Sequence, residues 1–301
     1  MRVLLTGASG FIGRHCLRPL HEAGYEVHAV SSREVARPAG EARWHRADLL
    51  EPGVGADLVA AVRPTHLLHF AWYAVPGRYP SAPENLRWSA ATGELLAAFA
   101  GTGGERAVFA GTCFEYDFSY GYCTEDLTPA TPGTFYGVCK NATREIVAGF
   151  ARQFGLSTAW GRIFHLFGPY EAPGRLVPAV TRALLAGKEA PCSHGQQVRD
   201  FLHVQDVADA FVALLGSTAQ GTVNISSGEP LALRDLIQLL ATHVGRPDLI
   251  KLGVLPPRPD DPPVLFANTR KLREVVGWKP RLTLDEGLRQ TVEWWRSAGW
   301  A

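Results

Sequence analysis

Short aliphatic and β-branched runs alternate with longer stretches of helical period over the first two-thirds of the chain. Arg2–Leu5, Tyr25–Val30, Arg43–His45, Thr65–Phe70, Ala107–Ala110 and Thr158–Phe164 read as strands. Between them, Ile12–Glu22, Glu84–Phe99 and Tyr136–Phe154 read as helices. Pro19 inside the first predicts a kink or an early end, because proline removes a donor and clashes with the preceding turn. In the second, Leu86, Leu95, Leu96 and Phe99 are among the apolar positions; in the third, Val138, Ala142, Ile146 and Phe150 recur every four residues and make a stripe along one face. Strand alternating with helix predicts βαβ units, right-handed crossovers and a parallel, doubly wound α/β sheet.

After about Gly168 this rhythm breaks. Prolines cluster at 169, 173, 178 and 191 and again from 256 to 263, and only Leu233–Val244 and Thr269–Val276 keep a helical pattern. That region reads as a smaller α-rich lobe over the carboxyl edge of the sheet. The expected division is discontinuous: residues 1–165 plus about 199–226 in the sheet domain, and about 166–198 plus 227–301 in the smaller lobe.

Composition narrows the classes of function. With 301 residues, 46% of them hydrophobic, the chain can bury a large core. Lys plus Arg is 30 and Asp plus Glu is 29, and no basic run stands out, so no nucleic-acid partner is expected. The five cysteines form no CxxC pair and are odd in number, which argues against disulfides or a zinc site and for a reducing compartment. The N-terminus lacks a signal-peptide core, and no stretch approaches the ~20 apolar residues of a membrane helix. A cytoplasmic protein without a metal is therefore expected.

Thr6-Gly7-Ala8-Ser9-Gly10-Phe11-Ile12-Gly13 follows the first strand and opens the first helix. Glycines let a backbone turn tightly and approach a pyrophosphate, and a helix N-terminus supplies N–H groups and positive potential. The cofactor's 2′ position is read at the end of the second strand, where Ser31-Ser32-Arg33 offers hydroxyls and a cation, favouring NADP(H) over NAD(H); Glu34 lies further into the loop. Tyr136-Gly137-Val138-Cys139-Lys140 sets a phenol and an ammonium one helical turn apart. A nearby ammonium stabilises phenolate, so Lys140 is expected to lower the pKa of Tyr136 and suit it to proton transfer beside a moving hydride.

The spacing Gly-x-x-Gly-x-x-Gly, the Tyr-x-x-x-Lys and the segment Gly111-Thr112-Cys113-Phe114-Glu115-Tyr116 together resemble the extended short-chain dehydrogenase/reductases, the nucleotide-sugar epimerases, dehydratases and ketoreductases. The resemblance implies that Thr112, Tyr136 and Lys140 are catalytic. It implies that Gly7, Ser9, Gly10, Phe11, Ile12 and Gly13, with Ser31, Ser32 and Arg33, hold the cofactor phosphates and ribose. Asp48 and Leu49 would flank the adenine; Phe70, Ala71, Trp72 and Phe164 would line the cofactor channel; Lys140 would also hold the nicotinamide ribose. Trp72, Tyr73, Phe114 and Glu115 would shape the sugar pocket. Arg162-Ile163-Phe164-His165-Leu166-Phe167-Gly168-Pro169 is similar to the family's Arg-x-Phe-Asn-x-x-Gly-Pro, with His165 in place of the asparagine that contacts sugar or phosphate.

Further along, Arg175 and Val177 match a loop that packs on the nucleotide base, and Arg199 in Gln197–Val207 matches a pyrophosphate-binding arginine. Asp200, His203 and Asp206 are expected to be structural. Arg258 and Asp261 resemble a second clamp, on phosphate and ribose respectively, and Gly277-Trp278-Lys279-Pro280 matches the family ending. Family 4,6-dehydratases carry an acidic residue directly after the threonine, where this chain has Cys113 and Phe114, with Glu115 one step out of register. The Cys and His of the family's 3,5-epimerising reductases are replaced by Phe114 and Arg175. What remains needs only hydride and proton transfer, as in a ketoreductase or a 4-epimerase; the expected activity is NADPH-dependent reduction of a nucleoside-diphosphate 4-keto-(deoxy)sugar. A 4-epimerase with retained NAD and a non-catalytic nucleotide-binding regulator are the alternatives. The resemblance also implies a homodimer through Glu84–Phe99 and Tyr136–Phe154.

Overall fold

The computed structural model describes residues 1–35, 40–257 and 261–298. Seven parallel strands form the central sheet: β1 (Arg2–Thr6), β2 (Glu26–Ser31), β3 (Ala42–Arg46), β4 (His66–His69), β5 (Arg106–Thr112), β6 (Ser157–Ile163) and β7 (Gly221–Ile225). Their order is β7-β6-β5-β4-β1-β2-β3, with every neighbouring pair parallel. All residues of β4 and β5 are buried, as strands covered on both faces must be. The chain runs outward from β1 through β2 to β3, then returns to pair β4 on the other side of β1. This reversal opens a crevice at the carboxyl ends of β1 and β4, the usual ligand position in such sheets. The six strands expected from the sequence lie in this sheet; β7 carried no strong period-2 signal and was not among them.

The helices are α1 (Gly13–Glu22), α2 (Val54–Val62), α3 (Glu84–Gly101), α4 (Phe135–Phe154), α5 (Leu176–Leu185), α6 (Val204–Gly216), α7 (Leu233–Val244), α8 (Arg270–Glu274) and α9 (Leu284–Ser297). On one face of the sheet Cys16 and Leu20 of α1 pack with Phe211 and Leu214 of α6; on the other Val59, Leu95 and Phe99 pack beneath Leu4 and Leu67. A third core joins α5, α7 and α9 through Val177, Leu184, Leu240 and Val292. A small mixed sheet, Pro230–Ala232, Val198–His203, Val264–Ala267 and Tyr122–Cys123, with His165–Phe167 beside Val198–His203, connects this core to the large sheet.

Two expectations about helices are corrected. First, α1 neither ends nor breaks at Pro19: it runs to Glu22, and the Ala23 N–H still reaches the Pro19 carbonyl at 2.9 Å. Burial of Leu17 and Leu20 outweighs the single donor lost. Second, the proline-rich C-terminal region holds more helix than its pattern suggested. Pro178 sits in the first turn of α5, where backbone N–H groups have no partner within the helix, so it costs little there.

Most of the apolar stripe of α4 faces outward, while Phe150 packs against the core. Val138 and Ile146 are 46% and 52% exposed, and the buried residues are instead Gly137, Cys139, Lys140, Thr143 and Val147. Leu86 on the adjacent α3 is also exposed. No helix among the described residues is long and apolar enough to cross a membrane.

Candidate active site

The glycine turn closes against the end of β4. Gly7 adopts φ 68°, and a Cβ there would lie 2.8 Å from the Ala71 amide nitrogen. A Cβ on Gly10 would meet the Gly7 carbonyl at 3.0 Å, and one on Gly13 would overlap that same carbonyl. Backbone therefore packs on backbone, and only glycine permits it. Ile12 precedes α1 without any side-chain cap, which leaves the helix start to accept an anion. These features fit a dinucleotide pyrophosphate, held by residues 7–13.

The other residues expected at the cofactor divide into two groups. Ser32, Arg33 and Asp48 are exposed; Asp48 accepts from the Leu50 N–H at 3.0 Å. Trp72 is half-buried and donates its indole N–H to Asn85 at 2.8 Å, and the Ala71 N–H reaches the Thr6 hydroxyl at 3.3 Å. Ser31, in contrast, is buried: its hydroxyl lies 2.9 Å from that of Ser9 and donates to the Arg33 carbonyl at 2.8 Å, so it shapes the turn. Leu49 is buried in the core with Val30 and Val59, and Phe164 with Cys113 and Tyr116, so their side chains are packing residues. Phe70 packs edge-on to Phe211 at 4.8 Å between centroids.

Thr112 ends β5 and Tyr136 lies in the first turn of α4. A Cβ on Gly137 would overlap the Phe114 carbonyl, so Gly137 is what lets the start of α4 approach the segment after Thr112. Thr134 caps the helix by accepting from the Gly137 N–H at 3.1 Å, and the Tyr136 N–H donates to the Pro80 carbonyl at 3.0 Å. The Thr112 side chain is close enough to the Tyr136 phenol to act on its pKa. Tyr79 and Phe114 enclose the Tyr136 ring, with centroids 4.9 and 6.0 Å away. Tyr79 was not anticipated: it lies in a proline-containing loop with no periodicity to mark it.

The expected electrostatics are reversed. Burial pushes the Tyr136 phenol up, Tyr79 adds to this, and the neighbouring Thr112 hydroxyl only partly opposes it. Lys140 donates to the Ala110 carbonyl at 2.8 Å and lies over the Trp72 ring at 3.7 Å. Its ammonium is pushed down to about 7 by burial, with Glu115 holding it up.

Glu115 does not line a sugar pocket. It is fully buried, accepting from the Thr112 N–H at 2.8 Å, the Trp160 indole at 2.9 Å and Arg162 Nε at 2.7 Å. A charge without solvent needs such partners. Phe114 and Tyr73 are half-buried.

Toward the smaller lobe, His165 is half-buried and its Nδ1 has no hydrogen-bond partner. Burial, then the charges of Arg199 and Arg175, push it down to about 3, so it is neutral. Arg175 lies 3.8 Å from Glu171, a buried carboxyl that burial pushes up to about 8. Glu171 is a second residue that the sequence did not flag.

Arg199 and Asp261, expected on different parts of a ligand, bind each other. Arg199 Nη2 reaches Asp261 Oδ1 at 2.5 Å and the Pro262 carbonyl at 2.6 Å, and Gln197 donates to Asp261 Oδ2 at 3.1 Å. A guanidinium 3% exposed requires a counter-charge. Val177 is core, not a surface for a base. Arg258 lies outside the described residues. Asp200 accepts from the Ala267 N–H at 2.8 Å, His203 from the Gln205 N–H at 3.3 Å, and Asp206 from those of Arg281 and Leu282 at 3.1 Å, all structural.

Residues 3–226 match the model of the NAD dependent epimerase/dehydratase family. A UDP-glucose 4-epimerase of Azospirillum brasilense is 28% identical over 98% of this chain and 92% of that protein. The structure of the Thermus thermophilus UDP-glucose 4-epimerase in complex with NAD superposes with a TM-score of 0.87 at 28% identity, covering 99% of this chain and 100% of that one. MoeE5, in complex with UDP-glucose and NAD, superposes with a TM-score of 0.85 at 32% identity, covering 99% of each chain.

Proposed function

The chain belongs to the NAD-dependent epimerase/dehydratase family of nucleotide-sugar enzymes, and from that premise we propose that it reduces a nucleoside-diphosphate 4-keto-(deoxy)sugar with NADPH. One observation carries this reading. Of the three residues after Thr112, Cys113 and Phe114 have no carboxyl group, and the carboxylate of Glu115 is sealed by three donors. A site without a free carboxylate beside the threonine and tyrosine lacks the acid–base pair for eliminating water from a sugar. It retains what a simple carbonyl reduction requires.

When bound, the nicotinamide would supply the hydride. The chain's own residues do the rest. Gly7, Gly10 and Gly13 leave room for the pyrophosphate, and Lys140 holds the nicotinamide ribose. Thr112 orients the keto oxygen by hydrogen bonding. Tyr136 gives its phenolic proton to that oxygen as negative charge develops there. The raised phenol carries its proton at neutral pH, as a donor must. His165 and Arg175 border the nucleotide-sugar side of the site, and Arg199, held by Asp261, adds positive charge beside His165.

A second reading, a 4-epimerase with retained NAD, draws on the named relatives and on the NAD in their structures. Ser32 and Arg33 lie exposed at the end of β2 and favour the first. Calorimetric titration of the purified protein with NADPH and NADH decides between them. A preference for NADPH of about tenfold, or ~1.4 kcal/mol, supports the reductase; protein that purifies with tightly held NAD supports the epimerase.

A further inference from the structure

Glu115 joins parts of the site that its sequence position does not connect. Oε1 holds the Thr112 backbone N–H, and therefore the strand end that presents the Thr112 hydroxyl. The same oxygen accepts from Trp160 on β6, while Oε2 accepts from Arg162 two residues further along that strand. Arg144 of α4 approaches Oε2 at 3.8 Å, one turn beyond Lys140. A Cβ on Gly111 would overlap the Trp160 indole and lie 2.7 Å from Glu115 Oε1, so β5 carries glycine where this bond crosses it. Glu115 also closes a capping box with Thr112, whose hydroxyl accepts from the Phe114 N–H at 3.3 Å.

The charges around Lys140 make this arrangement asymmetric. Its Nζ is buried against the Ala110 carbonyl and the rings of Trp72 and Trp160. His69 of β4 is near enough to feel its charge, but is itself buried between the Thr6 and Thr92 hydroxyls and uncharged. Tyr136, one turn earlier on α4, keeps its proton. Among the described residues, Glu115 is the anion that acts on this ammonium. Fixed in place by Arg162 and Trp160, it combines geometric restraint of Thr112 with electrostatic support of Lys140.

We propose that Glu115 is a positioning residue: a buried anion, tied to β6 by Trp160 and Arg162, that sets the Thr112 strand end and serves as counter-charge on the Lys140 side of the site, without itself touching substrate. The inference rests on the functional reading above for the roles of Thr112 and Lys140. It differs from the family's dehydratase carboxylates, because the oxygens of Glu115 are already occupied by donors.

Glu115→Gln keeps the size and removes the charge. With Arg162 and Arg144 then uncompensated, Lys140 loses its proton at lower pH. Cofactor affinity, followed by nicotinamide fluorescence from pH 5.5 to 9, falls in wild type as pH rises and the ammonium is lost. In Glu115→Gln that limb moves about one pH unit toward acid, and kcat drops about tenfold or more while KM changes little. Glu115→Asp, which keeps the charge, leaves the limb near its wild-type position. Arg144→Gln, at a partly exposed residue that competes for Glu115, moves it toward alkali, and this holds the test open should Glu115→Gln not fold. An unmoved limb in Glu115→Gln or Arg144→Gln, with only a lower melting temperature, would assign Glu115 to stability alone and overturn the proposal. A wild type that binds cofactor with the limb, shows the shift in the variants and yet reduces no 4-keto sugar would refute the proposed reaction and leave this inference standing. Wild-type binding with no limb would overturn it.

Discussion

The two faces of α4 exchange the roles that their side chains suggest. The outer face carries Val138, Ala142 and Ile146, all exposed, with Phe135 and Phe154 exposed at its ends. The inner face buries Cys139, Lys140 and Thr143. An amphipathic helix normally turns its apolar stripe to the core. Here the inner face buries Lys140 beside Val147, because Lys140 serves the site, reaching the Ala110 carbonyl of β5 at 2.8 Å; the Thr143 hydroxyl is satisfied within the helix by the Cys139 carbonyl. The outer stripe, adjoining Leu86 of α3, is an apolar surface of the kind that packs against another chain. Hydrophobic periodicity marks a face as apolar, not whether that face turns to the core or to solvent.

The largest effect that sharpens this contrast lies on the inner face. Tyr136→Phe should lower kcat by about 10²–10⁴-fold, the range of lost general acid catalysis, with cofactor affinity retained; steady-state assays and fluorescence titration check both. A turnover equal to wild type would remove Tyr136 from the chemistry, whereas a wild type that turns over no nucleotide sugar would favour a nucleotide-binding regulator.

Lys140 provides an intermediate effect with a defined sign. Burial holds its folded pKa at about 7, below the ordinary lysine range. Between that value and the unfolded pKa of about 10.4 the unfolded chain binds more protons, so the lysine's contribution to stability rises with pH across that window. Lys140→Met should therefore melt above wild type at pH 7, with the gap narrowing toward pH 10. Scanning calorimetry across this range would expose a constant or widening gap, either of which would mean that the ammonium is not penalised by burial.

The smallest effect on the fold, and the one specific to the outer face, is Ile146→Glu. Replacing an exposed apolar residue should change the stability of a single chain by no more than about 0.5 kcal/mol, yet convert a dimer to monomer if two copies pair through α3 and α4. Light scattering after size exclusion reads this directly. A wild type that is monomeric, or a variant that remains dimeric, would break the assignment of the outer stripe to self-association.

The glycine turn was legible because its chemistry belongs to the backbone. Spacing alone places Gly7, Gly10 and Gly13 between a strand and a helix, and the close approaches at those positions admit no other residue. Thr112, Tyr136 and Lys140 were legible for a related reason, since each stands at a fixed offset from the end of β5 or the start of α4. The inward role of Glu115 was not, because it comes from Trp160 and Arg162, 45 and 47 residues away, and Tyr79 was not, because its ring meets Phe114 and Tyr136 from a loop without periodicity.

The amino-acid order by itself determined the parallel α/β sheet, the glycine turn and the residue types available for proton transfer. These depend on local period, on backbone freedom and on i, i+4 geometry, which are properties of short segments. Only the tertiary structure decided that Arg199 pairs with Asp261, that Ser31 and Val177 are packing residues, that Glu115 faces inward, and that burial raises Tyr136 while lowering Lys140. Charge and burial depend on which distant segments exclude water from a group, and that is settled only when the sheet, its helices and the smaller lobe have packed together.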